Sequence, residues 1–205
     1  MSELLSQIIP QMLSRGFEVV SLETAQEAKA YLLSHIPVGA SVGVGGSMTI
    51  RELNVVPALK ERGQQVTWHW DVPKEEATAA REKARLADVY LASSNAVTKD
   101  GQLVNIDGTG NRVAAMFDGP KQVYLVVSHS KLVDGGLNTA IARIKQHACP
   151  PNARRLSLDT PCAHTGICKP NECGNDCMCR IIVTISRPPK GKKITVLMVE
   201  ETLGY

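Results

Sequence analysis

The stretch SSNAVTKDGQLVNIDGTGNRVAAM, residues 93–116, decides the fold expected for this chain. It follows an apolar run, residues 89–92, which predicts a buried strand. The Asp-Gly pair at 100–101 stands between two short β-type segments and predicts a hairpin. A loop of small residues follows at 107–111, and a helix is expected from about Arg112. This order of strand, hairpin, glycine loop and helix predicts a platform on which polar groups can face a ligand.

Length and composition favour one α/β domain over residues 1–205, with a mostly aliphatic core, because only 4% of the residues are aromatic. The formal net charge of +3 is small, and Lys and Arg are spread along the chain. A nucleic-acid interface needs a clustered basic face, so no nucleic-acid partner is expected. The local cluster at residues 190–193 is interpreted as a solvated turn.

The N-terminal segment predicts neither export nor membrane insertion. It carries Glu3 early, lacks a basic region and is interrupted by Pro10, so it does not resemble a signal peptide. No run approaches the roughly 20 apolar residues that a membrane span requires. We therefore expect a cytoplasmic protein that has no membrane partner, with cysteines that are reduced or bound to metal.

Helical and β-type patterns alternate five times, which predicts a doubly wound, mostly parallel sheet flanked by helices. Two late strands are expected at Ile181–Ser186 and Lys193–Val199, as a hairpin on a sheet edge. Exposed edge strands make a homodimer a reasonable expectation.

A second glycine loop, SVGVGGSMTI at residues 41–50, stands between a short strand and a helix. Gly45 and Gly46 allow a sharp turn, and Ser47 or Thr49 can cap the helix. Such a junction can bind an anion through free backbone N–H groups, or it can be a tight turn and nothing more.

Two further positions are expected near these loops. Lys131 comes directly after the apolar strand 122–127, at the carboxyl edge where open α/β sheets bind ligands. His69 alternates with Trp68 and Trp70 on a predicted strand, where it either lines a cleft or is a surface residue.

The segment 149–180 is rich in cysteine and predicts a metal-binding loop. Thiolates this dense normally bind a soft metal, and the candidates are zinc and an iron–sulfur cluster. The alternative is a loop of free, oxidisable thiols. Cys149 lies apart in the sequence and is expected to be a bystander. The five predicted ligands are Cys162, Cys168, Cys173, Cys177 and Cys179.

The chain resembles the LUD domain family, named for bacterial lactate-utilisation proteins, through GVGGSMTIREL, residues 93–127, Lys131 and the cysteine-rich segment before VLMVEETLGY. The resemblance covers almost the whole chain and implies a Rossmann-like fold similar to ribose-5-phosphate isomerase, glucosamine-6-phosphate deaminase and the CoA transferases.

Where CoA transferases carry a nucleophilic glutamate, this chain has Ser94-Asn95, so covalent CoA transfer is not expected. The family often has Gly-x-Asn-Lys where this chain has residues 128–131, of which the lysine alone matches. Similar members usually have four tail cysteines, and Cys162, Cys168, Cys173 and Cys179 fit that pattern best, with Cys177 extra.

The resemblance implies a stand-alone, redox-associated protein that binds a small anionic metabolite, holds an iron–sulfur cluster and works beside a redox partner protein. Lys131 and Arg112 would neutralise the anion, the loops at Gly45 and Gly110 would donate N–H groups, and Asp107 and Asn95 would orient it. The other expected binding residues are Gly46, Ser47, Thr49 and Asn111.

Two alternatives remain open from the sequence. One is an isomerase or transferase with Asp107 or Glu52 as general base and Lys131 as electrostatic stabiliser. The other is a non-catalytic binding module whose cysteine loop holds a structural zinc.

Overall fold

The protein is described by a computed structural model that covers residues 2–205. A six-stranded parallel sheet forms its centre, in the order β1-β9-β7-β4-β2-β3, and a three-stranded antiparallel sheet has the order β5-β6-β8. The strands are β1 Glu18–Leu22, β2 Val42–Val44, β3 Val66–Trp68, β4 Val89–Ala92, β5 Ala96–Val97, β6 Leu103–Asp107, β7 Gln122–Ser128, β8 Ile181–Ile185 and β9 Lys193–Val199.

Nine α-helices connect the strands within the described residues. They are α1 Glu3–Ser14, α2 Ala25–His35, α3 Met48–Leu53, α4 Val55–Glu61, α5 Ala77–Arg85, α6 Asn111–Phe117, α7 Leu137–Arg143, α8 Cys149–Arg155 and α9 Pro161–Thr165. Short 3₁₀ turns lie at Lys74–Glu76, His129–Lys131, Pro170–Glu172 and Gly174–Asp176, and a π-helical turn at Ile144–Ala148 joins α7 to α8. None of the helices in residues 2–205 combines the length and apolar character needed to cross a bilayer.

The large sheet is buried on both faces, as the continuous apolar runs of its inner strands require. Successive residues of β7 point to opposite sides: Leu125 and Val127 pack in one core cluster and Val126 in the other. The first cluster includes side chains of α1, α5 and α6, and the second those of α2, α3 and α4. The predicted α/β architecture, a mostly parallel sheet flanked by helices, is confirmed.

The small sheet contains the hairpin predicted from Asp100-Gly101. Its strands β5 and β6 pair antiparallel, and the Gly101 N–H donates to the carbonyl of Thr98 at 2.9 Å. Gly101 takes φ +80°, a left-handed conformation that glycine adopts without steric cost. The third strand, β8, pairs with β6 on the other side.

The prediction that the two late strands form a hairpin with each other was wrong. β8 joins the small sheet, whereas β9 lies inside the large sheet, parallel to β1 and β7. Burial explains the separation. Ile194–Val199 is buried at every residue, as a central parallel strand must be, while Ile181 and Ile182 of β8 are exposed.

The carboxyl ends of β2, β3, β4 and β7 lie at one edge of the large sheet because these strands are parallel. The segments that follow these strands begin at Gly45, His69, Ser93 and His129. Ligands of open α/β sheets bind at this edge.

Candidate binding cleft and thiol cluster

A cleft of about 750 Å³ opens at this edge. One wall consists of segments that follow the parallel strands, and the other is formed by α8 and the cysteine-rich segment. Eight of the ten predicted binding residues line it: Gly46, Ser47, Thr49, Asn95, Asp107, Asn111, Arg112 and Lys131. The remaining two, Gly45 and Gly110, are not among the residues that line it.

Lys131 lies at the base of the cleft, and its side chain is 2% exposed. Its Nζ donates to Thr49 Oγ1 at 2.6 Å and to Ser93 Oγ at 3.0 Å. Among the described residues no carboxylate lies within ion-pair distance of Nζ. Burial, and then the charges of Arg143 and Arg112, lower the pKa of Lys131 to about 7. A bound anion would supply the counter-charge that this ammonium group lacks.

Arg112 holds the platform together. Its Nη1 donates to the carbonyl of Ser93 at 2.9 Å and to Asn105 Oδ1 at 2.8 Å, and Nη2 donates to Asn95 Oδ1 at 2.8 Å. Nη2 also donates to the carbonyl of Ile106 at 3.0 Å, and Nε pairs with an Asp107 carboxylate oxygen at 3.3 Å. Four of these contacts are hydrogen bonds, which occupy the four Nη N–H donors, and the fifth is an ion pair. We therefore assign Arg112 a positioning role for the loop, although its charge still contributes to the cleft.

Both carboxylate oxygens of Asp107 also make contacts within this platform. Its Oδ1 accepts the N–H groups of Thr109 at 3.0 Å and Gly110 at 2.7 Å, while Oδ2 faces Arg112. Gly110 takes φ +87°, and a Cβ there would lie 2.9 Å from Ile181 Cδ1. The small residues of this loop thus allow its turn and the close approach of β8.

The glycine loop after β2 is fixed by contacts within the protein. The Gly45 N–H donates to the carbonyl of Leu91 at 2.9 Å, and its carbonyl accepts the Trp68 indole N–H at 3.2 Å. Ser47 caps α3 by accepting the Ile50 N–H at 3.3 Å. Gly45 therefore cannot offer its N–H to an anion, and the part of this loop that faces the cleft is Gly46–Thr49.

Glu52, a candidate general base, does not line the cleft. Its side chain is exposed, and Oε2 accepts the Gly204 N–H at 2.6 Å. This contact fixes the C-terminal segment over the site, where the Leu203 carbonyl accepts a hydrogen bond from Thr49 Oγ1 at 3.3 Å.

The cleft is positively charged overall, because six cationic side chains and two carboxylates line it. Four of the cationic residues were not predicted from the sequence: Lys74, Arg81, Arg155 and Arg180. They lie on helices or loops whose charges are indistinguishable in sequence from those of solvated faces.

An aromatic patch forms the wall beside the glycine loop. The rings of Trp68 and Trp70 stack with centroids 5.0 Å apart, and the Arg155 guanidinium lies 4.7 Å from the Trp70 ring centre. His69 lines the cleft, which was one of the two alternatives that the sequence left open. Burial, then Arg81 and Arg155, lower the pKa of His69 to about 4, so the ring is neutral at pH 7.

The cysteine-rich segment folds over the opposite side of the cleft, which Cys177 and Cys179 line. The Cys177 thiol neighbours those of Cys173 and Cys179. Cys162 is buried, with its Sγ 3.4 Å from Thr160 Oγ1, and Cys168 is partly exposed. Within residues 2–205, no three His, Cys, Asp or Glu side chains are already arranged to hold a metal ion.

Cys149, which its position in the sequence predicted to be a bystander, contacts another cysteine of the segment. Its Sγ lies 3.3 Å from Cys179 Sγ, and it lines the same cleft. This hydrogen bond, more than burial, raises the pKa of Cys149, and it lowers the pKa of Cys179 to about 7. Cys149 begins α8, directly after a π-helical turn and before two prolines that have no N–H to donate.

The geometry defines a class of protein: a doubly wound α/β domain with a cationic cleft at the carboxyl edge of its sheet and a thiol cluster across it. The sequence profile of the LUD domain matches residues 5–199, and the chain belongs to the LUD domain family. The crystal structure of a DUF162 family protein from Deinococcus radiodurans has a similar fold, with a TM-score of 0.57 at 14% sequence identity. The alignment covers 97% of this chain and 99% of that one. No curated protein matches the sequence significantly.

Proposed function

We propose that this LUD-domain protein binds a small anionic metabolite in the cleft, beside an iron–sulfur centre held by the cysteine-rich segment. The ligand class is a carboxylate or phosphate, and the process is redox-associated, as in the lactate utilisation for which the family is named. The protein would act in the cytoplasm and exchange electrons with a redox partner protein.

The observation that carries the proposal is the buried amine of Lys131, which has no carboxylate within ion-pair distance among the described residues. A buried cation without a counter-ion is costly, and its energy falls when an anion binds beside it. The two hydroxyls that hold Nζ, those of Thr49 and Ser93, aim it at the end of the cleft. Arg81 and Arg155 extend the positive field to the other wall.

The thiol cluster fits a soft metal centre by its chemistry, because an all-sulfur donor set suits iron–sulfur clusters and zinc. Such a centre would contribute one-electron transfer if it contains iron. Cys149, Cys177 and Cys179 line the cleft, so a ligand held at Lys131 would share one cavity with the centre.

Anaerobic purification with metal and sulfide analysis tests the centre. We expect a brown protein that contains iron and labile sulfide and whose visible absorption bleaches on reduction. A colourless protein that contains zinc would instead support a binding module with a structural metal. Absence of both metals would overturn the metal part of the proposal.

Isothermal titration with lactate, pyruvate and inorganic phosphate tests the anion site. We expect at least one of them to bind to the wild type and at least tenfold more weakly to Lys131→Met. The matched control is Lys74→Met, which removes an exposed charge from the same cleft and should weaken binding much less. Equal losses in the two variants would mean that general charge, not the buried amine, attracts the anion.

The isomerase or transferase alternative gains no support from the carboxylates. Both oxygens of Asp107 are engaged within its loop, and Glu52 is outside the cleft.

A homodimer through the edge of β8 remains part of the proposal, since Ile181 and Ile182 are exposed there. Light scattering after gel filtration, compared with Ile182→Lys, tests it.

A further inference from the structure

Cys149 is not among the four cysteines that the family pattern favours, yet it contacts one of them, Cys179. The Cys149 and Cys179 sulfurs lie 3.3 Å apart, and the Cys177 thiol neighbours both Cys179 and Cys173. Cys162 is buried with its Sγ 3.4 Å from the Thr160 hydroxyl at the start of α9, and Cys168 is partly exposed.

The separation of Cys149 and Cys179 is close to that of two thiolates on one metal atom. Two sulfurs at about 2.3 Å from a tetrahedral metal lie roughly 3.8 Å apart. The observed 3.3 Å between the two Sγ atoms therefore needs only a small side-chain adjustment.

We propose that Cys149, Cys179, Cys173 and Cys177 are the metal ligands, and that Cys149–Cys179 and Cys173–Cys177 act as two pairs. This inference rests on the metal centre of the proposed function and names its ligands. Paired thiolates suit a [2Fe–2S] rhomb, with one pair on each iron, because each iron of that cluster binds two cysteines. A [4Fe–4S] cube places a single cysteine on each iron and does not suit such pairs.

Helix α8 gives this assignment a structural basis. Cys149 is the first residue of α8, directly after the π-helical turn, and its side chain is 4% exposed. Single π-helical turns frequently occur at functional sites. One ligand would therefore come from a rigid helix and three from the loop, so metal binding would fix the loop to α8.

The experiment compares anaerobically purified wild type, Cys149→Ser and Cys168→Ser, with iron, zinc and sulfide counted per chain. We expect two irons and two sulfides in the wild type, the same in Cys168→Ser, and at least a tenfold loss in Cys149→Ser. Four irons per chain, full metal in Cys149→Ser, or equal loss in both variants would overturn the assignment. Wild type without any metal would overturn the proposed metal centre as well. Failure of the ligand assignment can therefore be told apart from failure of the centre itself.

A second measurement needs no variant and covers the case in which Cys149→Ser does not fold. Cys168, Cys177 and Cys179 are all of intermediate burial, so their alkylation can be compared fairly. In the metal-loaded wild type, N-ethylmaleimide should modify Cys168 while Cys177 and Cys179 remain protected until a chelator is added. Protection of Cys168 with modification of Cys177 or Cys179 would contradict the proposed set.

Discussion

Lys131 shows at the residue scale how one buried amine couples stability to pH. Its pKa is about 7 in the folded protein and about 10.4 in an unfolded chain. Between these values the unfolded chain binds more protons, so the unfolding free energy rises as pH increases. Below pH 7 both states are protonated and the full cost of the buried charge is present.

We therefore predict that Lys131→Met is more stable than the wild type at pH 6 and that its advantage shrinks as pH rises from 7 to 9. The hydroxyls released by the substitution have other partners: Thr49 donates to Leu203 and Ser93 to Ser94. Urea unfolding at several pH values measures the difference. For the exposed Lys74→Met the difference from wild type should stay nearly constant, and a constant difference for Lys131→Met would contradict the prediction.

Substitution of Arg112, unlike that of Lys131, is expected to destabilise the protein, because the groups that Arg112 binds would lose their hydrogen-bond donors. Arg112→Lys keeps the charge but loses the planar set of donors that joins Ser93, Asn95 and Asp107. We expect a loss of about 2–5 kcal/mol in unfolding free energy, because each buried acceptor left without its donor costs about 1–3 kcal/mol. Denaturant unfolding tests this against Arg85→Lys, an exposed pair with Asp118, for which less than about 1 kcal/mol is expected. Similar losses in both would show that the network is not essential.

At the scale of elements, the loop after β2 depends on close approach. A Cβ at Gly45 would lie 2.7 Å from Tyr90 Oη and 3.0 Å from Arg112 Cγ, and Tyr90 is buried. Gly45→Ala should therefore destabilise the protein by about 1–3 kcal/mol through overpacking. Gly39→Ala, where nothing lies within 4 Å, is the control and should change stability by less than about 0.5 kcal/mol. Thermal melts of both variants give the comparison; a neutral Gly45→Ala would contradict it.

The elements also show where sequence patterns suffice. Alternation of apolar strands and amphipathic helices predicted the parallel sheet, and Asp100-Gly101 predicted the hairpin of β5 and β6, because these signals are local. The partner of a strand is not local. Nearness in sequence favoured pairing β8 with β9, whereas the complete burial of β9 required a place between two other strands.

At the scale of the whole molecule, two distant segments of the chain form opposite walls of one cleft. Patterns placed Lys131 and the glycine loops at one edge, because the ends of parallel strands meet there. They could not reveal that Arg112 is fully engaged within its loop or that Cys149 reaches Cys179. Both facts depend on side-chain contacts across 5 to 30 residues of sequence.

Because the walls share a cavity, we predict that metal and anion binding are linked. Removing the metal should loosen the cysteine-rich wall and weaken anion binding at Lys131 by about 5–150-fold, the usual range for coupled sites. By reciprocity the anion should slow metal loss to a chelator. Titration of phosphate or lactate into metal-loaded and metal-free protein measures the coupling, with Lys131→Met as the control that should show none. Identical affinities in the loaded and metal-free protein would show that the sites are independent.

The position of β9 has a further consequence for biosynthesis. β1 pairs with β9, which in turn pairs with β7, yet β1 and β9 are separated by most of the chain. The ribosome adds residues from the N-terminus at about 5–20 per second, so β1 waits roughly ten to thirty seconds before its neighbour is synthesised. Until then, β1 has no strand to pair with, and the large sheet is incomplete. A chaperone that covers the apolar residues of α1 and β1 during translation would therefore protect them until β9 is available.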